Sequence, residues 1–161
     1  MSQQRENQKH SAYQLAELSY RWQQVFNDYA KHLTDYGTGE LYTSAEVHLV
    51  TQIEENPGTT VTQLSEATLR TKSAVSQMVS KLEKKGLVLR AKNPENAKQQ
   101  LLYVTPKGFE LSKCHKAYDE TALPIDEMIE IFGQDVVDKF ADIMEYTTAH
   151  MLKKLQKDSQ P

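Results

Sequence analysis

The chain has 161 residues, of which 39% are hydrophobic and 25% are charged, and its formal net charge is -3. This length predicts a single domain with its own core, and no apolar run approaches the ~20 residues that a membrane-spanning helix needs. The polar amino terminus lacks a secretory signal pattern, and the one cysteine, Cys114, cannot form an intrachain disulfide. We therefore expect a cytoplasmic protein with no membrane partner.

The net charge conceals an uneven distribution along the chain. Residues 1–59 carry a net charge of -4, residues 60–116 carry +7 and residues 117–161 carry -6. A localised basic segment is what a polyanion-binding surface requires, whatever the overall charge. The alternative interpretation is a solvated surface with scattered lysines.

The first predicted element is a long amphipathic helix over residues 12–33, which ends before a glycine-rich turn at residues 36–39. Its apolar stripe consists of Leu15, Leu18, Trp22, Val25, Phe26, Tyr29 and Leu33.

Two capping boxes mark the next helices. Thr43 and Glu46 form the first, which opens a helix that ends at the Asn-Pro-Gly sequence of residues 56–58. Thr60 and Gln63 form the second, ahead of a short helix.

A winged helix-turn-helix is predicted in the middle of the chain. A further helix begins near Thr71 and ends at Gly86, and two strands over residues 87–92 and 100–104 surround a polar tip. Short helices followed by a two-stranded hairpin are the plan of this motif, whose second helix enters the major groove of DNA. The predicted fold is thus mainly α with a small β-hairpin wing.

The carboxyl-terminal part is predicted to form helices with continuous apolar stripes. One begins at Pro106 and is broken near Pro124, and the last spans about residues 135–154. A winged helix of about 65 residues cannot cover these stripes together with the apolar stripe of the first helix. We therefore expect a homodimer, in which a second copy covers them. The alternative is a monomeric helical bundle. The predicted division is an amino-terminal dimerisation helix over 1–40, a DNA-binding region over 41–110 and dimerisation helices over 111–161.

The helix that follows Thr71 presents a polar side suited to DNA. If Val75, Met78, Val79 and Leu82 face the core, hydroxyls, one amide and several cations face outward, the groups that bind phosphates and base edges. The predicted DNA contacts are Thr71, Lys72, Ser73, Ser76, Gln77, Ser80, Lys81 and Lys84 on the helix and Arg90, Lys92, Asn96 and Lys98 on the hairpin. A winged helix that binds protein instead of DNA remains an alternative.

Five segments of the chain resemble the MarR family of bacterial transcriptional regulators. They are residues 42–46 (YTSAE), 55–58 (ENPG), 61–66 (VTQLSE), 72–88 (KSAVSQMVSKLEKKGLV) and 104–108 (VTPKG). The resemblance implies a homodimeric winged-helix repressor or activator that binds pseudo-palindromic DNA and responds to a small molecule, a metal or an oxidant.

The wing departs from the pattern that the resemblance implies, which is an Asp and an Arg two residues apart at the tip. Asn96 and Lys98 stand at those places, and they lack the ion pair and the planar guanidinium. We expect this wing to contact phosphates more than it reads groove width, with Arg90 and Lys92 assisting.

The sequence offers candidates for an effector site, and no cofactor is required. His115 and Asp119 are spaced i, i+4, which can present two ligands to one metal, and zinc-sensing members of the resembled family carry histidines in places comparable to His48 and His115. The alternative is that these histidines are structural. A second hypothesis is an apolar effector pocket lined by Trp22, Phe26, Tyr29, His48 and Tyr118. A third hypothesis is a redox role for Cys114, which has no second cysteine in the chain to resolve it.

The sequence argues against an enzyme. It contains no nucleophile elbow, phosphate-binding glycine loop or metal-hydrolase motif, and its 6 glycines leave little material for cofactor loops.

Overall fold

The computed structural model describes residues 10–96, 98–122 and 124–158. Within these residues the chain forms seven helices and two two-stranded antiparallel sheets, which confirms the predicted fold class. The chain divides into two compact units, residues 1–117 and 118–161, whereas the predicted three-part division stays a prediction. None of the described helices is long and apolar enough to span a membrane.

The first helix, α1, spans Ala12–Tyr29 and is shorter than the predicted 12–33. A capping box that was not predicted opens this helix, because the hydroxyl of Ser11 accepts from the amide of Gln14 at 3.2 Å. At the other end, Nδ1 of His32 lies 3.0 Å from the carbonyl oxygen of Asp28. This side chain occupies an acceptor that a further helical turn would use.

A small hairpin not predicted from the sequence follows α1. Its strands are β1, Thr34–Asp35, and β2, Leu41–Tyr42, which pair antiparallel. One carboxylate oxygen of Asp35 accepts from the backbone amides of Gly37, Thr38 and Gly39 at 2.8 to 3.0 Å. These bonds hold the connecting loop in a tight turn.

Three helices follow: α2, Ser44–Glu55, α3, Val61–Ala67, and α4, Lys72–Lys84. Each begins after a threonine whose hydroxyl accepts from the backbone amide three residues later: Thr43, Thr60 and Thr71. The first two are the predicted capping boxes, and both are confirmed. The helices enclose apolar side chains that are at most 2% exposed: Val47, Leu49, Val50, Ile53, Leu64, Val75, Val79 and Leu82.

The predicted wing is confirmed as strands β3, Val88–Lys92, and β4, Gln100–Val104. Leu102 also exchanges backbone bonds with the turn before α3, since its amide donates to the carbonyl of Thr59 at 2.8 Å. The base of the wing is therefore continuous with the helical core.

Helix α5 spans Pro106–Ala122. Its first turn packs closely against the backbone of Leu87, the residue before β3. A Cβ atom at Gly108 would lie 2.1 Å from the carbonyl oxygen of Leu87, so only glycine fits this approach. In the second unit, α6 spans Ile125–Phe132 and α7 spans Gln134–Asp158. The break predicted near Pro124 is confirmed, because this residue immediately precedes α6.

Candidate nucleic-acid interface

Helix α4 is buried along one side and exposed along the other. Val75, Val79 and Leu82 are completely buried. Among the predicted contact residues, those exposed are Thr71, Lys72, Ser73, Gln77, Lys81 and Lys84, and those partly buried are Ser76 and Ser80. The exposed side therefore carries hydroxyls, one carboxamide and cations, which can bind phosphate oxygens and base edges.

The tip of the wing places its ammonium groups in solvent and uses its amide side chains for the turn. Oδ1 of Asn96 accepts from the backbone amide of Lys98 at 3.1 Å, and Oδ1 of Asn93 accepts from the amide of Glu95 at 2.9 Å. The side chains of Lys92 and Lys98 are exposed. This arrangement suits phosphate contact more than base recognition.

A buried carboxylate behind α4 was predicted only as a helix cap. Oε2 of Glu46 accepts from the backbone amide of Thr43 at 2.9 Å. Its Oε1 lies 3.0 Å from Nζ of Lys81 and 2.8 Å from Nζ of Lys85. Burial alone would raise the pKa of Glu46, but Lys85, the amide of Thr43 and Lys81 lower it to about 2. The carboxylate thus stays charged and ties the start of α2 to the end of α4.

This ion pair alters the role expected of Lys81. The side chain is 59% exposed, yet its charge is partly neutralised by the buried carboxylate of Glu46. Lys81 therefore belongs both to the packing of α4 and to the predicted phosphate contacts.

A second polar network joins β2 to the start of α5. Nζ of Lys107 lies 2.7 Å from Oε1 of Glu40, and the hydroxyl of Tyr42 donates to Oε2 of the same carboxylate at 2.7 Å. Burial and this bond raise the pKa of Tyr42. The Tyr42 ring also lies 4.8 Å from Nζ of Lys85, so the two networks adjoin.

Arg90 bonds to several protein groups, and its role as an assisting DNA contact stays a prediction. Its side chain is only 18% exposed, and three of its nitrogens donate to protein groups. Nε donates to Oε2 of Glu83 at 3.2 Å, Nη1 to Oε1 of Gln100 at 3.2 Å and Nη2 to Oγ of Ser80 at 3.1 Å. These partners lie on α4 and β4, so the guanidinium connects helix and wing.

Two of the predicted effector residues come together in the first unit. The rings of His48 and His115 meet edge to face with their centroids 4.5 Å apart, and each offers a nitrogen within 4.8 Å of the other. His115 is 2% exposed, and its Nδ1 lies 3.1 Å from the hydroxyl of Thr51. That bond occupies one of the two ring nitrogens of His115.

The roles of the other predicted effector residues stay predictions. Asp119 and Tyr118 belong to the second unit. Trp22 and Phe26 stack with their ring centroids 5.4 Å apart, but with Tyr29 they are about half exposed on α1 in the single chain. The apolar pocket that these residues were predicted to line stays a prediction.

The middle of the chain is similar to the sequences of one known family. A sequence model described as the MarR family matches residues 42–99. The chain is also similar to YhjH of Bacillus subtilis (strain 168), described as an uncharacterized HTH-type transcriptional regulator, with 30% identity over 88 residues. The aligned part covers 55% of this chain and about half of that relative's length, 50%.

Solved structures share the fold at low identity. The structure of Streptococcus pneumoniae FabT in complex with DNA matches with a TM-score of 0.66 and 18% identity, over 89% of this chain and 98% of that one. Lactococcus lactis ZitR, a zinc-responsive MarR family member, matches with a TM-score of 0.65 and 16% identity, over 86% and 97% of the two chains. Both likenesses confirm the winged-helix fold.

Proposed function

We propose that this chain, whose residues 42–99 match the MarR family model, is a homodimeric transcriptional regulator that binds a pseudo-palindromic site in double-stranded DNA. The observation that carries the proposal is α4, buried along one side and lined on the other by Lys, Ser and Gln side chains. The similarity to transcriptional regulators also agrees with the expectation that the chain is not an enzyme.

Different residue types are expected to contact different parts of the DNA. The exposed cations Lys72, Lys84 and Lys98 suit phosphates, which fix the register of the protein on the duplex without reading sequence. Gln77 is the exposed carboxamide in the middle of α4, and Gln can pair with the N6 and N7 edge of adenine. We assign Gln77 to base recognition and the three lysines to the backbone.

The distribution of charge supports this orientation. The basic segment, residues 60–116, contains both α4 and the wing, while the flanking segments are acidic. A duplex lying against the basic segment avoids the acidic ends, which are proposed to pair in the dimer. Two-fold pairing would set two copies of α4 about one DNA turn apart, roughly 34 Å.

Replacing Gln77 with Ala is expected to reduce discrimination between the selected site and a mismatched site by about 1–3 kcal/mol, because a bidentate base contact is lost. The measurement is a pair of titrations, one on each duplex, after selection of bound fragments from a random library. Equal weakening on both duplexes would contradict the base-reading role of Gln77.

Lys98→Ala is the matched control. It should weaken both duplexes alike and reduce the slope of log affinity against log salt by about 1, as expected for one phosphate contact. If the selection recovered no sequence preference, the proposal would fail in favour of a winged helix that binds protein.

A second candidate function is regulation by a metal effector, which we propose on the proximity of His48 and His115. Zn²⁺ binds neutral histidine together with carboxylates. The two imidazoles suit this ion, and Nδ1 of His115 is bonded to the hydroxyl of Thr51, which fixes the ring. Asp119, one turn beyond His115 on α5, is the third ligand predicted from the sequence. When bound, zinc would supply a link between α2 and α5, and the likeness to a zinc-responsive protein supports testing this ion first.

His48→Ala is expected to weaken zinc binding by more than the ~10–100-fold that loss of a supporting residue costs. Competition titration against a chromogenic chelator measures the affinity, and His150→Ala, a histidine of α7, serves as the control. Unchanged zinc affinity in His48→Ala would remove the metal hypothesis and leave the DNA proposal intact.

A further inference from the structure

Arg90 lies in the middle of β3, between α4, the proposed recognition helix, and β4, the second strand of the wing. Two of its partners, Glu83 and Ser80, lie on α4, and the third, Gln100, lies on β4. The Arg90–Glu83 pair is charge-assisted, and such bonds are the stronger ones among side chains. One guanidinium therefore bonds to both elements of the proposed DNA-binding surface.

The partner groups are themselves held in place. The hydroxyl of Ser80 donates to the carbonyl of Ser76 at 2.9 Å, so its oxygen is left to accept from Nη2 of Arg90. Glu83 is the only acidic residue between Ala67 and Lys92. A carboxylate in this segment opposes DNA binding by its charge. Because Glu83 is paired with Arg90, its carboxylate has a structural role instead.

The partly buried side chain of Arg90 has only two of its five N–H donors left for a phosphate. Its exposure is 18%, compared with 44% for Glu83, and donors on all three of its nitrogens are engaged. Among the described residues of the wing, the cationic side chains that reach solvent are those of Lys92 and Lys98. Their position relative to α4 depends on what holds the hairpin to the helix.

We propose that Arg90 is a positioning residue that fixes the wing to the recognition helix through Glu83 and Ser80, so that both meet the duplex in one geometry. This inference rests on the proposed DNA-binding function. It separates Arg90 from the lysines that touch phosphate.

Two substitutions distinguish positioning from direct contact. Arg90→Lys keeps the positive charge but loses the planar fork, so a phosphate contact would survive while the connection would not. Glu83→Gln removes a negative charge from the DNA-facing segment, so charge alone predicts tighter binding. The positioning role predicts the opposite, a loss of about three- to tenfold in DNA affinity for each variant.

Glu95→Gln is the matched control for charge. Glu95 is exposed near the tip of the wing, and its replacement by an amide should leave DNA affinity unchanged or slightly tighter. The double variant Arg90→Lys with Glu83→Gln should bind about as weakly as either single variant, because both remove one connection.

Hydrogen exchange on the free protein provides a readout that does not need DNA. Amides of residues 88–104 should exchange faster in Arg90→Lys and Glu83→Gln than in wild type, while those of α2 should keep their rates. If wild type bound no DNA, the proposed function would fail, yet this measurement would still test the connection. Unchanged wing exchange in both variants, or tighter DNA binding by Glu83→Gln, would overturn the proposal.

Discussion

Replacing Glu46 with Gln is expected to lower the free energy of unfolding by about 2 kcal/mol near neutral pH. The carboxylate is 2% exposed, and its pKa is held at about 2, compared with an ordinary value of 4.5. That difference corresponds to about 3 kcal/mol. Because the side chain of Lys81 is 59% exposed and that of Lys85 is 30% exposed, water screens part of the interaction.

The loss should depend on pH in a defined direction. The pKa of Glu46 is lowered in the folded protein, so its contribution is complete above its ordinary pKa of 4.5 and disappears as the pH falls toward 2. Glutamine does not titrate. Urea unfolding of wild type and Glu46→Gln should therefore show a stability gap that narrows below about pH 4.5, and a gap independent of pH would contradict the buried ion pair.

Two further variants separate the charge from the helix cap. Gln63 accepts from the backbone amide of Thr60 at 2.8 Å, so glutamine at position 46 can keep the capping bond to Thr43. Glu46→Ala loses that bond as well and should cost about 1 kcal/mol more. Glu54→Gln, whose partner Lys116 is 45% exposed, should cost less than about 1 kcal/mol.

Local signals in the sequence predicted the helices and the wing. The capping boxes at Thr43 and Thr60 and the proline at 124 act within a few residues of their own backbone, so their effects are readable from spacing. The β1–β2 hairpin has strands of only two residues, too short for an alternating pattern. It depends on the carboxylate of Asp35, whose bonds to the loop amides were not anticipated.

The contacts between different elements of the site could not be predicted from local spacing. Glu46 meets Lys81 across 35 positions of the chain, and Arg90 meets Glu83 and Gln100 from a different element. Such contacts follow from how elements pack, which spacing alone does not give. The proximity of His48 and His115 was anticipated because the resemblance to a family supplied the tertiary pairing.

Helix α1 has no residue buried by the rest of the single chain. Its apolar side chains are widely exposed: Leu15 50%, Leu18 51%, Trp22 54%, Val25 65%, Phe26 46% and Tyr29 58%. At 100° per residue these positions fall on one face of the helix. A second copy can cover that face through a two-fold interface, in which the same patch serves both partners.

If the proposed dimer forms through this face, Leu18→Glu is expected to convert it to a monomer at micromolar concentration, because two carboxylates would be buried in the interface without partners. Loss of the second α4 should reduce affinity for the full operator by about 10²- to 10⁴-fold. Affinity for an isolated half-site should stay near the wild-type value. Analytical ultracentrifugation measures the assembly, and titration of full and half operators measures the two affinities.

Gln24→Glu adds the same charge on the opposite face of α1, about 200° around the helix from Trp22. It should leave both the dimer and the operator affinity unchanged, which excludes a general effect of negative charge on this helix. If Leu18→Glu remained a dimer, α1 would not form the interface, and another apolar surface would have to bring the two recognition helices together. A monomer that kept full operator affinity would instead show that a single α4 and wing supply all of the recognition.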